Sequence, residues 1–394
     1  MESLPDYSLK PKDVITIDDS DLTTVPLSTD VSILVARQDV FYDDDIGEEG
    51  KESREFSEII FLRKFNNWIK TVLINKYCDS LSFKNMPSVL DLCAGKGGDL
   101  PKWIFRGVSH YVAMEYQDSL IQKGMQRLKQ QRNIKFPSIF IVHDAGDPNT
   151  LVDKVLDNRD LFRNIKKKIV FDIVSCQFSM HYLYESETKL RAFLHNVSCR
   201  LEPGGFYIAT TVDAEKVVSL MRTTESGRRE LCISNRFYSI RFGQEEYSKI
   251  VDPSAPGSGS PYGLKFYFYL KDAVGRHRQS DEGRPVYVPE YLVPIDHLEQ
   301  IASEEFELEL VEKKNLLEFY QENLELGKNQ HLFDRMVASS LHDNLTDQDI
   351  QEQWEICGLY LVLAFRKRGK APFRQRDNFG NFDLIRYANV KDWR

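Results

Sequence analysis

Residues Ser88–Trp103 read SVLDLCAGKGGDLPKW, a run that passes from an apolar strand through a glycine turn into a helix. Val89, Leu90 and Leu92 have the continuous apolar character of a strand buried on both faces of a parallel sheet. Gly95, Gly97 and Gly98 follow at its carboxyl end, where doubly wound sheets bind their ligands. Glycine permits φ > 0 and lets a ligand approach the backbone closely, so the turn is the expected floor of a cofactor site. Two nucleotide signatures fail here. The fingerprint G-x-G-x-x-G would need glycine where Leu100 stands, and a Walker loop would need G-K-[ST], which the chain lacks.

Outward from this turn, on its carboxyl side, strand and helix alternate: Tyr111–Tyr116, a helix over Ser119–Gln131, Ile139–Asp144, a helix near Leu151–Leu161, then Val170–Phe178. That alternation predicts a doubly wound parallel α/β sheet. Glu115 closes the second strand about twenty residues past the glycines, where an acid accepts hydrogen bonds from ribose hydroxyls. Asp144 closes the third strand and either meets a ligand or caps the following helix. With Asp91, three successive strands end in an acid. A helix over Glu185–Arg200 and a turn at Glu202–Gly205 lead to the strand Phe206–Val212.

On the amino side, Ile60, Phe61, Phe65, Trp68, Ile69, Val72 and Leu73 recur at helical spacing. Asn66, Asn67 and Lys70 interrupt that apolar face. Two adjacent asparagines beside a Trp are poor helix formers, so something other than helix stability placed them there. Past Val212 the pattern changes to aromatic, antiparallel segments at Phe237–Phe242 and Leu264–Leu270, followed by Val286–Pro294, which sets Glu290 among apolar and aromatic neighbours. Such an acid is expensive to bury unless donors meet it. Phe306–Val311 and Gly358–Phe365 read as a closing antiparallel hairpin, with a polar helical stretch over 316–354 between them. If those last two strands close the same sheet, residues 213–300 are an insertion within one domain spanning 51–367.

The 394 residues are 42% apolar and 28% charged, the mix of a soluble globular chain. No run approaches the roughly 18 apolar residues of a membrane span, and the acidic start has no signal-peptide core, so no membrane and an intracellular address are expected. The six cysteines form no C-x-x-C pair and no H-E-x-x-H occurs, which disfavours disulfide and metal readings. A net charge of −8 argues against a general nucleic-acid binder. The charge is segregated, however. Residues 1–52 carry 14 acidic against 4 basic side chains, and residues 366–394 carry 9 basic against 3 acidic. We read 1–50 as a mostly disordered acidic tail with one apolar piece, Val31–Ala36, and 368–394 as a basic tail, either solvated or in contact with RNA.

The pattern D-L-x-x-G-x-G-G-D resembles the first motif of class I S-adenosylmethionine-dependent methyltransferases. Taken with FNNWIK at 65–70, FDIVSCQFSMHY at 171–182, SPYG at 260–263, VPEYLVP at 288–294 and LYLVLAF at 359–365, the chain from about residue 54 to 367 resembles the eukaryotic mRNA cap guanine-N7 methyltransferases. The resemblance implies a doubly wound, seven-stranded sheet with a terminal antiparallel hairpin and an inserted antiparallel β/helical cap-binding subregion. It implies S-adenosyl-L-methionine as cofactor, held by Lys70, Cys93, Gly95, Glu115, Asp144, Gln177 and Tyr182. Asn66, Asn67, Lys96, Lys102, Arg127, Phe178, His181, Glu290 and Tyr360 would meet the cap.

The implied reaction moves a methyl group to N7 of the terminal guanine. A neutral N7 lone pair needs no general base, so His181, Tyr182 and Glu290 would act by positioning, and His181 would not shuttle protons. Glu290 would accept from the N1 and N2 hydrogens of guanine, the aromatics would stack on the base, and the three basic residues would face the triphosphate. The chain departs from the family with Cys93, Ala94 and Gly95 where G-C-G is usual, and with Glu115 where Asp is usual. The partners so implied are the capped 5′ end of RNA, with a small activating subunit or the transcription machinery beside it, a monomeric catalytic unit and a nuclear address. A methyltransferase of another substrate and a catalytically silent RNA-binding scaffold are the competing classes; neither a small uncharged substrate nor the scaffold would need both the cofactor turn and the phosphate-reaching residues.

Overall fold

The computed structural model describes residues 22–28, 31–36, 57–81, 86–131, 134, 136–157, 169–222, 231–252, 254–274, 285–341, 345–370 and 385–390. In chain order these form β1 (Leu22–Ser28), β2 (Val31–Ala36), α1 (Ile60–Ser80), β3 (Ser88–Leu92), α2 (Leu100–Arg106), β4 (His110–Glu115), α3 (Asp118–Lys129) and β5 (Ser138–Val142). They continue with α4 (Val152–Leu156), β6 (Phe171–Gln177), α5 (Glu187–Ser198), β7 (Leu201–Val212), α6 (Ala214–Arg222), β8 (Cys232–Ser234), β9 (Tyr238–Arg241), α7 (Gln244–Val251), β10 (Lys265–Leu270) and β11 (Val286–Tyr291). The last are α8 (Ile295–Phe306), β12 (Leu308–Asn315), α9 (Leu316–Leu324), α10 (Gly327–Met336), α11 (Asp347–Cys357), β13 (Tyr360–Lys367) and β14 (Ile385–Asn389).

The larger sheet has the order β12-β13-β7-β6-β3-β4-β5-β14. Strands β5, β4, β3, β6 and β7 are parallel, while β13 and β12 close the far side as an antiparallel pair. These seven are the expected doubly wound sheet with its hairpin. Their burial explains the sequence pattern, since β3, β4 and β5 are buried at every residue and so read as continuous apolar runs. The winding reverses beside β3, with β4 and β5 to one side and β6 and β7 to the other, which opens a crevice at the carboxyl ends of β3 and β6.

Two departures from expectation lie at the termini. An eighth strand, β14, pairs in parallel with β5 from Ile385 opposite Ser138 to Asn389 opposite Val142, within the stretch read as a basic tail. Phe373, Arg374, Arg376, Phe379 and Phe382 of that tail lie outside the described residues. At the other end, β1 and β2 form an antiparallel hairpin inside the segment read as mostly disordered. Strand β2 continues into a second, six-stranded sheet, β1-β2-β11-β10-β9-β8, by pairing in parallel with β11. The strands through which β2 and β14 join their sheets, β11 and β5, are both remote in sequence.

Helix α1 is set against the larger sheet by the polar helical stretch. Phe61, Phe65 and Trp68 pack with Tyr320, Phe333 and Trp354 at ring separations of 4.9–5.6 Å. Trp68 Nε1 donates to the Asn329 carbonyl at 3.1 Å, and the Leu62 amide donates to Gln353 Oε1 at 3.0 Å. Burial of the aromatic stripe on this lobe therefore aims the asparagine face of α1 at the crevice.

Candidate active site

The glycine turn has a left-handed backbone at Cys93 (φ 55°), Gly95 (φ 53°) and Gly97 (φ 67°), and Phe178, at the end of the neighbouring strand β6, has φ 56°. For Cys93 and Phe178 such a backbone costs about 1–3 kcal/mol each and persists because the surroundings hold it. The Phe178 amide donates to the carbonyl and the hydroxyl of Thr210 at 3.0 and 2.9 Å. A Cβ built on Gly95 meets nothing within 4 Å, so the turn faces open space there. One built on Gly97 comes 3.2 Å from the Gly124 Cα, and Arg127 Nη1 donates to the Gly97 carbonyl at 2.9 Å, so α3 is clamped to the turn.

Glu115 is buried beside this turn. Its Oε2 accepts from the Gly95 amide at 3.0 Å and its Oε1 from the Tyr116 and Gln117 amides at 3.0 and 3.2 Å. Burial lifts its pKa to about 6 against the pull of those three donors. Exposed Asp144 stands close enough to add to that rise, and its Oδ1 accepts from the Gly146 amide at 2.8 Å, an Asx turn at the end of β5.

On the other side of the turn, Asp99 gathers two lysines. Lys70 Nζ lies 2.8 Å from its carboxylate and Lys102 Nζ 2.7 Å, and Lys102 also donates to Asn67 Oδ1 at 3.0 Å. Burial would raise the Asp99 pKa, yet the two ammoniums hold it down at about 2. Asn66, Asn67, Lys70 and Phe178 line a cavity of about 360 Å³ together with Ile60, Arg63 and Lys64. The buried Asn66 Oδ1 has no hydrogen-bond partner, and Tyr360 meets the Phe178 ring edge-on at 5.2 Å.

Four residues along from Phe178, Tyr182 Oη donates to Glu290 Oε1 at 3.2 Å, so the inserted sheet delivers its acid to the same segment. Glu290 is 3% exposed, and burial pushes its pKa up to about 8, only partly offset by Tyr182. His181 Nε2 lies 3.5 Å from Glu290 Oε2, too far for a good hydrogen bond. Burial drives the His181 pKa down to about 3, so a neutral imidazole faces a protonated acid and the contact is no ion pair. Both ring nitrogens of His181 are buried without a hydrogen-bond partner. Buried polar atoms in that state are rare and point to an absent partner.

Of the expected residues, the cavity gathers Asn66, Asn67, Lys70 and Phe178, the glycine turn gathers Gly95, Glu115 and Arg127, and Tyr182 meets Glu290. Lys70 and Lys102, expected on different ligands, share Asp99. The Gln177 amide is held by Ser175 Oγ, the Ile208 carbonyl and Thr210 Oγ1 at 3.2–3.3 Å. Asp91, counted among the strand-end acids, is buried within β3, accepts from Tyr111 Oη at 2.8 Å and is raised by burial to about 7. Lys96 is half-buried in the glycine turn. Sequence reasoning missed Asp99, Thr210 and Gly124 as supports. For Asp99 a signal existed: an acid closing the glycine motif, with a lysine at i+3.

The family model for the mRNA (guanine-N(7))-methyltransferase domain matches residues 36–368. The chain belongs to this family. Among its relatives are the mRNA cap guanine-N(7) methyltransferases 1 of Oryza sativa, 37% identical over 84% of this chain and 81% of the relative, and of Arabidopsis thaliana, 36% identical over 82% and 80%. The mRNA cap guanine-N(7) methyltransferase of Schizosaccharomyces pombe is 34% identical over 81% of this chain and 79% of its own length. The guanine-N7 methyltransferase match covers both the glycine turn and Glu290, and it ends one residue past β13.

Proposed function

We propose that this protein transfers a methyl group from S-adenosyl-L-methionine to N7 of the terminal guanine of capped RNA. The observation that carries the reading is the buried acid Glu290, bonded to Tyr182 and facing an imidazole whose two nitrogens lack partners, in the segment that begins at the cavity-lining Phe178. The pair of hydrogens on the N1 and N2 edge of guanine fits a carboxylate there. The cofactor passes a test of fit on Gly95, whose left-handed backbone faces open space at the strand end, and on Glu115, whose carboxylate lies beside that space. Gly95, Cys93, Glu115 and Asp144 would hold its adenosyl part, with Lys70, Gln177 and Tyr182 toward the methionine part. When bound, the cofactor supplies an electrophilic methyl group on a sulfonium sulfur.

The chain's own residues then do three things. Phe178, Tyr182 and Tyr360 confine the base, and Asn66, Asn67 and His181 supply polar contacts to it and its ribose. Lys96, Lys102 and Arg127 hold phosphate, and Asp99 fixes Lys102 so that its ammonium is preset. Glu290, once ionised by loss of its proton to solvent, accepts from the N1 and N2 hydrogens and leaves N7 on the opposite edge without a donor. That carboxylate also favours the positive charge the ring gains as N7 is alkylated, so no general base is required and neutral His181 is not asked to be one. A nuclear address and a monomeric catalytic unit go with this substrate.

The test is to incubate the protein with methyl-labelled S-adenosylmethionine and GpppG-capped RNA and to locate the label. N7-methylguanine is the expected product. Label at another position would assign a different methyltransferase, and cap binding without transfer would assign a scaffold.

A further inference from the structure

Beyond residue 368, where the family match ends, the chain returns to the larger sheet as β14. The strand runs parallel to β5, so Asn389, opposite Val142, lies toward the carboxyl edge of the sheet that carries the glycine turn. Ala388 and Val390 are buried, so the strand is seated against the sheet. Tyr387 is 38% exposed, yet its hydroxyl donates to Asp118 Oδ1 at 2.8 Å and also meets Gln122 and Asn389.

Asp118 opens α3. The residues just before it, Tyr116 and Gln117, give their amides to Glu115 Oε1, while farther along α3 Gly124 abuts Gly97 and Arg127 holds the Gly97 carbonyl. Helix α3 therefore supports Glu115 at its start and the glycine turn from its body. The contact from Tyr387 anchors that start from a strand the rest of the family match does not include.

We propose that β14 is a positioning strand for the cofactor half of the site, with Tyr387 acting through Asp118 to hold the first turn of α3 where Glu115 and Gly95 meet. The inference rests on the reading of the glycine turn as an S-adenosylmethionine site. It makes β14 part of the working enzyme, as opposed to an RNA-gripping tail.

The test uses the full chain with Tyr387→Phe, which keeps the ring and removes the hydroxyl. Titration calorimetry with S-adenosylhomocysteine should give a dissociation constant raised about threefold to tenfold, the worth of one hydrogen bond. The constant for a GpppG cap analogue should stay unchanged, and KM for S-adenosylmethionine should rise without a fall in kcat. Asp118→Ala should reproduce this, and Asp118→Asn, which retains an acceptor, should do so to a smaller degree. Unchanged affinity in both Tyr387→Phe and Asp118→Ala would overturn the proposal, as would equal weakening of both ligands together with a lowered Tm. If the wild-type protein binds no S-adenosylhomocysteine, the cofactor reading itself falls. Amide exchange at Gly95 and Gln117 then decides the structural claim: faster exchange in Tyr387→Phe supports it, and equal rates refute it.

Discussion

The buried Glu290 makes cap recognition depend on pH in a direction set by the structure. In the cap-free protein its pKa is about 8, because burial without a cationic partner favours the neutral acid. A neutral carboxyl presents one donor and one acceptor, whereas the guanine edge offers two donors, so the cap binds the ionised fraction and a proton leaves. Apparent affinity scales with that fraction. At pH 6.5 the factor 1 + 10^(8 − 6.5) gives binding about 30-fold weaker than the limit, at pH 7.5 about 4-fold weaker, and above pH 8.5 nearly none of the penalty remains. Titration calorimetry of a cap analogue in two buffers of different ionisation enthalpy, at pH 7, should register release of close to one proton. Glu290→Gln should bind S-adenosylhomocysteine as wild type does but bind the cap at least tenfold more weakly and without the pH slope. The stability of the cap-free protein should run the other way. The folded pKa lies above the ordinary 4.5, so the contribution of Glu290 is complete below pH 4.5 and is lost as pH rises through 8. Cap affinity that is flat from pH 6.5 to 8.5, or no proton release, would refute the assignment of Glu290 to the guanine edge.

Three other perturbations separate the parts of the site. Gly95→Ala and Gly97→Ala both incur left-handed strain of about 1–2 kcal/mol. Only the second presses on α3, whose Gly124 Cα lies 3.2 Å from the new Cβ, so Gly97→Ala should show the larger fall in Tm and Gly95→Ala the larger loss of cofactor affinity relative to its Tm shift. Asp99→Asn leaves two lysines together in a buried site and should cost about 3–5 kcal/mol in urea unfolding. Since the Asp99 pKa is lowered from 3.8 to about 2, wild-type protein should carry that stabilisation above pH 4 and lose it as pH falls through 2. Lys96→Ala should weaken capped RNA and reduce the slope of log affinity against log salt by about one, with cofactor affinity unchanged.

The larger sheet was legible in the sequence because parallel strands buried on both faces leave unbroken apolar runs, and β3, β4 and β5 are of that kind. Glu290 was legible as an acid that apolar neighbours make costly, and Asn66 and Asn67 as poor helix formers inside a helix. The hairpin β1–β2 and strand β14 were not, since each joins its sheet through β11 or β5, more than two hundred positions away in the chain. Side-chain direction was equally hidden. Nothing in the order of residues says that the Gln177 amide is held by Thr210, that Asp91 is answered by Tyr111 from the adjacent strand, or that Lys70 and Lys102 converge on one carboxylate. The positive φ at Cys93 and Phe178 likewise depends on holding contacts that only the folded crevice supplies.

The parallel pairing of β2 with β11 has a consequence for how the protein is made. Val35 meets Tyr287, 252 positions later in the chain. At a synthesis rate of about 5–20 residues per second, the first hairpin waits roughly 13–50 s after it emerges before its partner strand has been made. During that interval the edge of β2 is an open template for any other extended segment, including another nascent copy of the same hairpin. The same long closure postpones assembly of the six-stranded sheet that presents Glu290. A ribosome stalled between β7 and β11 would thus carry the strands that form the cofactor crevice but not the residue proposed to read guanine, and chaperone occupancy on such stalled chains should centre on the first forty residues.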